Sequence, residues 1–207
     1  MNRDSVPVFA VIILAAGASS RMGRPKLLLP WKDTTVIGRL ISQWRAVGAA
    51  QIAVVHRPND GALAAELNCL GLSPFDRIEN PQPERGMFSS IACAANWPGW
   101  KKEVSAWVIV LGDQPHLRLG TLQKLLEFHR LHPDAFCQPA FHGESKHPVI
   151  LPPSAFHHLK ISKAATLKDF LKQIPCRSVQ CEMDDAGLSL DIDTPEDYKR
   201  ALNQPDA

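Results

Sequence analysis

Two short apolar runs restrict how this chain can fold. Residues 8–14 (Val-Phe-Ala-Val-Ile-Ile-Leu) and 107–111 (Trp-Val-Ile-Val-Leu) show no polar alternation, and each is stopped by small residues and glycine. Such a run suits a strand covered on both faces, the usual state in a mostly parallel sheet flanked by helices. The first run feeds Ala15-Ala16-Gly17-Ala18-Ser19-Ser20-Arg21-Met22-Gly23-Arg24-Pro25-Lys26, and the second feeds Gly112-Asp113-Gln114-Pro115.

The remaining pattern alternates strands with helices. Residues 35–47 carry Val36, Ile37, Leu40, Ile41, Trp44 and Val47 at helical spacing, and helices are also expected at 61–70, 87–97, 120–131, 166–174 and 195–202. Strands are expected at 51–55, 76–79, 135–140, 149–151 and 177–182, with a polar turn around Gly143 and a strand-like stretch at 190–193. This order implies a Rossmann-like three-layer α/β/α fold with a mostly parallel sheet. At 207 residues the chain is expected to be one domain with a core over about 8–201. Ligands of such sheets sit beyond the carboxyl ends of the strands, so the loops after Leu14 and Leu111 are expected on one edge.

Composition narrows the function classes. The apolar fraction is 45% and the net charge +2, with basic residues spread along the chain, which argues against a nucleic-acid or membrane-surface partner. The first seven residues are polar and the apolar run after them is too short to span a bilayer, so a cytoplasmic protein is expected. Cys69, Cys93, Cys137, Cys176 and Cys181 form no C-x-x-C pair and read as free, mostly buried thiols. Trp97 and Trp100, beside Pro98-Gly99, read as a cap on the sheet, with a contact surface as the alternative.

Chemistry concentrates in three places. Small residues and two cations, Arg21 and Lys26, after a buried strand form a cradle for a polyphosphate, because backbone N–H groups can approach an anion there. The spacing fits neither Gly-x4-Gly-Lys-Ser/Thr nor Gly-x-Gly-x-x-Gly. Asp113 ends a buried strand, either as a turn or cap residue or as a magnesium ligand, since magnesium takes one or two carboxylates plus phosphate oxygens. In Leu190-Asp191-Ile192-Asp193-Thr194-Pro195-Glu196-Asp197, Asp193-Thr194-Pro195-Glu196 suits a helix start with a capping residue, which accounts for Thr194, Glu196 and Asp197 but not for two alternating aspartates that project to one side; either could be a second metal carboxylate, Asp193 preferred. His147 before Pro148 reads first as a structural residue, and the other histidines show no metal-ligand spacing.

The segments at 14–26, 111–115, 147–151 and 190–197 together resemble the MobA-like nucleotidyltransferases of the nucleotide-diphospho-sugar transferase type, most closely the molybdenum cofactor cytidylyltransferases (MocA type), over nearly the whole chain. The resemblance implies an enzyme that moves a nucleotidyl group from a nucleoside triphosphate to a phosphorylated pterin acceptor, the molybdopterin cofactor. Leu14, Ala15, Ala16, Gly17, Ser19, Ser20, Arg21 and Lys26 would hold the triphosphate, with Gly86, Ser89 and Ser90 near the base. Arg21, Lys26 and Asp113 would be catalytic, and Asp113 with Asp193 would hold Mg²⁺, or Mn²⁺ in its place. Ala16 and Gly86-Met87-Phe88-Ser89, in place of the Leu-Ala-Gly-Gly and Gly-Pro-Leu segments of guanylyl-transferring relatives, favour CTP over GTP. Gln114, Lys146 and His147 would face the acceptor, but Ser145-Lys146-His147-Pro148 replaces the family's Arg-Gly-His-Pro, which leaves acceptor identity open. The resemblance also suggests a molybdoenzyme as partner. Three other readings stand: a guanylyltransferase of the same superfamily, a non-catalytic nucleotide- or cofactor-binding chaperone for a molybdoenzyme, and an NAD(P)-dependent oxidoreductase. The latter calls for an acidic residue closing the second strand, where His56-Arg57 stands instead.

Overall fold

Along β1 (Phe9–Leu14) successive side chains enter opposite faces of the sheet, and both faces are buried. Phe9, Val11 and Ile13 pack into one apolar cluster and Ala10 and Ile12 into another. This double burial is why the run lacks polar alternation. In the computed structural model, which describes residues 7–204, β1 is followed by β2 (Pro30–Trp31), β3 (Thr34–Thr35), α1 (Val36–Ala46), β4 (Gln51–His56), α2 (Gly61–Cys69), β5 (Arg77–Glu79) and α3 (Met87–Asn96). Then come β6 (Ala106–Leu111), α4 (Leu119–Leu131), β7 (Phe136–Phe141), β8 (Glu144–Ser145), β9 (Val149–Leu151), α5 (Pro153–Leu159), α6 (Leu167–Gln173), β10 (Ser178–Glu182) and α7 (Pro195–Leu202).

The main sheet has the order β10-β7-β9-β6-β1-β4-β5, with β8 paired to β7. β1 runs parallel to β4 and β6, β4 to β5, and β10 to β7, while β9 is antiparallel to β6 and β7. Residues of α1, α2, α4 and α7 cover one face and residues of α3, α5 and α6 the other, so the expected three-layer arrangement is observed. From β1 the chain steps through β4 to β5, then returns by way of α3 to lay β6 on the other side of β1. The carboxyl ends of β1 and β6 therefore flank the crevice at the point where strand order reverses.

Two differences from the sequence expectations have local causes. Residues 190–193 form no strand, although the expected alternation survives: Leu190 and Ile192 are buried, and Asp191 and Asp193 lie on the outer side. The segment is tied to the sheet edge by one backbone bond, Ile192 N–H to the Asp113 carbonyl at 3.1 Å, so it stays extended without a ladder. Helix α5 is not among the expected helices; it starts directly after Pro152, with Pro153 in the first turn, where a missing N–H leaves nothing unpaired. The polar turn expected around Gly143 is present, as a two-residue hairpin between β7 and β8 with positive φ at His142 and Gly143, the geometry that suits the strand twist.

Trp97 and Trp100 pack edge-to-face at 4.8 Å, and Trp100 reaches Trp107 and Phe156, which stack at 4.1 Å. The tryptophans thus cap the sheet. All five cysteines are free; Cys137 and Cys181 are buried, whereas Cys69 is exposed and Cys93 and Cys176 are half-buried, so the buried reading holds only in part. Among the described residues no helix is long and apolar enough to cross a membrane. Residues 1–6, which carry most of the polar leading segment, lie outside the described residues.

His129, on α4 and 2% exposed, faces Cys137 with Nδ1 3.5 Å from Sγ. Burial lowers its pKa to about 4, with the nearby His132 charge adding to the effect, and burial pushes the Cys137 thiol up to about 12. Between pH 6.5 and 4 the unfolded chain binds a proton at this position that the native state refuses, so stability is full above that window and falls as pH drops through it. His129→Gln should flatten this residue's share of the acid destabilisation, at most about 3 kcal/mol, in urea melts at pH 7 and pH 4.5.

Candidate functional site

The loop after β1 is held open by backbone geometry. Ser19 and Gly23 adopt positive φ at either end of a short 3-10 turn, Ser20–Met22, and the Ser19 hydroxyl accepts the Lys26 N–H at 3.2 Å. Just past β4, Arg57 donates to the Gly17 carbonyl, so that oxygen faces a cation. Buried Met22 anchors the loop in the core, while Gly17, Ala18, Ser20 and Arg21 remain exposed. A strand-end loop of this kind presents amides to an anion.

At the end of β6, Gly112 permits a close approach, for a Cβ there would lie 2.7 Å from the Leu14 carbonyl oxygen. Only glycine lets the two strand ends close together without displacing backbone. The next residue, Asp113, accepts from the Lys26 ammonium at 2.8 Å through Oδ2. Its other carboxylate oxygen is buried with no hydrogen-bond partner among the described residues. The same ammonium donates to the Ile192 carbonyl at 3.1 Å and lies 3.6 Å from Asp193, whose other oxygen pairs with Arg21 at 2.9 Å.

Asp193 is available for this because it does not cap the helix that follows. Thr194 and Asp197 form a reciprocal capping box at the start of α7, with Pro195 in the first turn. The Tyr198 hydroxyl donates to the Pro30 carbonyl and its ring meets Trp31 edge-on at 6.2 Å, which docks α7 onto the β2–β3 hairpin. Upstream, a buried clasp fixes the same segment. Asp185, 1% exposed, accepts from the Thr121 hydroxyl at 2.6 Å and the Gly187 N–H at 2.9 Å, with Arg118 at 3.9 Å, and buried His116 contacts the Gly187 carbonyl at 3.0 Å.

A pocket of about 240 Å³ opens between these parts, lined by the β1 loop, by Gly112 and Asp113, and by Gly86, Met87 and Ser90 at the start of α3. Of the sequence-predicted nucleotide residues, Leu14, Ala15, Ala16, Gly17, Ser19, Lys26, Gly86, Ser90 and Asp113 line it. Ser20, Arg21 and Ser89 do not: Arg21 is 70% exposed beside Asp193, and the Ser89 hydroxyl is occupied with the Gly86 carbonyl at 2.7 Å. Lys26, expected on phosphates, lies between the two carboxylates. Gly86, at φ +88° and ψ 179°, holds a conformation reserved for glycine and opens α3 toward the pocket.

A second, wider pocket of about 840 Å³ lies on the far side of Met87 and takes in His147, Ser145, Gln138, Lys168 and Lys172. Burial lowers the His147 pKa, so the ring is neutral near pH 7. Lys146 pairs with Glu144 at 2.8 Å and does not line this pocket. Gln114 donates to Asp191 at 2.9 Å. Desolvation, then the Asp113 charge, raises the Asp191 carboxyl above its usual range. Sequence reasoning missed Asn80, Asp185 and Thr121, whose roles depend on partners 9 to 64 residues away.

The donor set was tested for a divalent cation. Two carboxylates converge on one cationic centre, one of them with an orphaned oxygen, and no cluster of three or more His, Cys, Asp or Glu is poised for metal among the described residues. That is a fit for a hard ion that takes its other ligands from phosphate and water, and a poor one for zinc.

A model of the MobA-like NTP transferase domain matches residues 11–179. The molybdenum cofactor cytidylyltransferase of Escherichia coli is 28% identical over 90% of this chain and 92% of its own. Nicotine blue oxidoreductase of Paenarthrobacter nicotinovorans is 27% identical over 98% of this chain and 100% of its own. In three dimensions, Rv0371c of Mycobacterium tuberculosis in complex with manganese superposes with a TM-score of 0.66 at 22% identity, over 95% of this chain and 99% of that one.

Thr121→Val removes the 2.6 Å bond to Asp185 and leaves a buried carboxylate oxygen short of a donor. Such a loss costs about 1–3 kcal/mol, so the urea midpoint should fall with the m-value unchanged.

Proposed function

The chain belongs to the MobA-like NTP transferase family, and from that premise we propose that it moves CMP from CTP to a phosphorylated pterin acceptor, molybdopterin, releasing pyrophosphate. The observation that carries this reading is the junction of an amide-rich loop with Asp113 and Asp193 around a single cationic centre at the strand-order reversal. An anion cradle alone has no use for two carboxylates beside it.

In this reading the loop amides from Ala16 to Ser19 hold the triphosphate, the Ala15 N–H being bonded to the Val55 carbonyl at 2.8 Å, and Arg21 and Lys26 offset charge on the departing pyrophosphate. An acceptor phosphate attacks the α-phosphorus in line; it is already ionised near pH 7, so no general base is needed, in keeping with a neutral, enclosed His147. Asp113 and Asp193 would hold Mg²⁺ or Mn²⁺, which when bound neutralises charge on the phosphate oxygens. Asp193 is preferred to Asp191 because it shares Lys26 with Asp113, whereas Asp191 is engaged by Gln114. The manganese complex of Rv0371c supports a divalent ion. The CTP assignment rests on Ala16 and the Gly86 segment, together with the likeness to the cytidylyltransferase. The wider pocket beyond Met87, with His147 and two lysines, suits an anionic acceptor, and a molybdoenzyme is the expected recipient of the product.

One observation favours a second reading. The likeness to nicotine blue oxidoreductase spans both chains end to end, so a hydride transferase on this scaffold is the competing case. Against it, β4 ends at His56 and is followed by Arg57, with no carboxylate there to receive ribose hydroxyls. Oxidation of NADH or NADPH by the purified protein, without pyrophosphate release, would decide for the alternative.

Titration calorimetry with CTP, GTP and ATP, followed by a pyrophosphate-release assay with molybdopterin and Mg²⁺, tests the proposal; CTP should bind most tightly and be turned over. Asp113→Ala should abolish pyrophosphate release, and retention of most turnover overturns the metal assignment. Arg21→Ala should lower kcat/KM by an amount equivalent to about 2–4 kcal/mol, as loss of one electrostatic donor does.

A further inference from the structure

Asn80 lies just past β5, 1% exposed, and its side chain uses its hydrogen-bonding capacity within a few residues. The Oδ1 atom accepts the Gln82 N–H at 2.9 Å. That bond fixes which end of the amide is oxygen, because a backbone N–H cannot bond to an NH₂ group. Nδ2 therefore donates both its hydrogens, to the Ser89 hydroxyl at 2.8 Å and to the Ser90 hydroxyl at 2.9 Å. A hydroxyl that accepts such a bond keeps its own hydrogen to give elsewhere. Ser89 gives its hydrogen within the turn, to the Gly86 carbonyl at 2.7 Å, with the Gln82 carbonyl also near at 3.1 Å. Ser90 differs: it is 4% exposed, it lines the 240 Å³ pocket, and Asn80 is its hydrogen-bond partner.

We propose that Asn80 is a positioning residue that aims the Ser90 hydroxyl as a hydrogen-bond donor at the nucleoside part of the bound triphosphate. This rests on the nucleotidyl-transfer reading and adds to it a specific donor and the group that orients it. The recognised ligand group is an acceptor atom, such as the ring carbonyl of a cytosine. Neighbouring constraints serve the same end. Gly86 starts α3 in a glycine-only conformation, and the Asn80 N–H bonds to the His56 carbonyl at 2.8 Å, so the amide is carried by the sheet edge rather than by a free loop. A donor whose orientation is set before binding costs less to order when the ligand arrives.

The experiment measures kcat, KM for nucleotide and KM for acceptor, with CTP, GTP and ATP, for the wild type, Ser90→Ala, Asn80→Ala, Asn80→Asp and the double alanine variant. Ser90→Ala and Asn80→Ala should each raise the CTP KM about tenfold, the factor expected for one lost hydrogen bond, while kcat and the acceptor KM stay within about twofold. The double variant should be no worse than either single one, because both remove the same interaction. Asn80→Asp keeps the acceptor for Gln82 but turns both serine hydroxyls toward the carboxylate. It should therefore raise the CTP KM while kcat and the acceptor KM stay within about twofold, a split that a purely structural role does not produce. If Asn80→Ala fails to fold, Ser90→Ala and Asn80→Asp still decide the matter.

Wild-type CTP kinetics in Ser90→Ala, or additive losses in the double variant, overturn the assignment and leave the transferase reading intact. A wild-type protein that binds none of the three nucleotides overturns both.

Discussion

The Lys26 ammonium is the point on which the site depends. It joins three segments that are far apart in the chain: its own loop after β1, Asp113 after β6, and the 192–193 stretch before α7. The bonds to Asp113 and the Ile192 carbonyl are short, and the Lys26 and Asp113 side chains are 16% and 19% exposed. An ion pair so enclosed is costly to break one-sidedly, because the remaining charge is stranded in a poorly solvated place. Carboxylates brought together without a cation would repel, so the lysine makes the convergence of Asp113 and Asp193 tolerable.

Much of the surrounding structure frees these groups from other duties. Asp193 stands where a helix cap is expected, but Thr194 and Asp197 take over the capping, and the Asp193 carboxylate turns to Lys26 and Arg21. Asp185 carries a buried negative charge away from the pocket, satisfied by Thr121 and the Gly187 N–H, and so fixes the segment that delivers Asp193. Gly112 removes the one Cβ that would hold the ends of β1 and β6 apart. Each device is local, and each acts by leaving a functional group unspent.

The layers of the fold were legible because double burial leaves a mark on sequence: strands such as β1 and β6 are apolar throughout, and helices such as α1 repeat at three and four residues. What escaped was whatever depended on a distant partner. Residues 190–193 alternate like a strand, yet the chain there meets the sheet edge through one backbone bond and forms no ladder. Ser89 and Ser90 are indistinguishable in sequence, and only the reach of Asn80 and the turn of α3 separate a hydroxyl spent on the Gly86 carbonyl from one that lines the pocket. Arg21 and Lys26 read as equivalent cations, but one is solvent-facing and the other is enclosed.

The sequence by itself determined the longer elements and the edge of the sheet where chemistry gathers, because periodicity, glycine placement and caps are short-range and act within a few residues. It also determined the inventory of that edge, an amide-rich loop, two cations and two aspartates. The tertiary structure decided which of these meet. Lys26, Asp113 and the Ile192 carbonyl beside Asp193 are brought together across 87 and 166 residues only by the reversal of strand order at β1 and β6 and by the docking of the segment before α7. Long-range pairing of this kind is set by which apolar faces bury one another, and no local pattern encodes it.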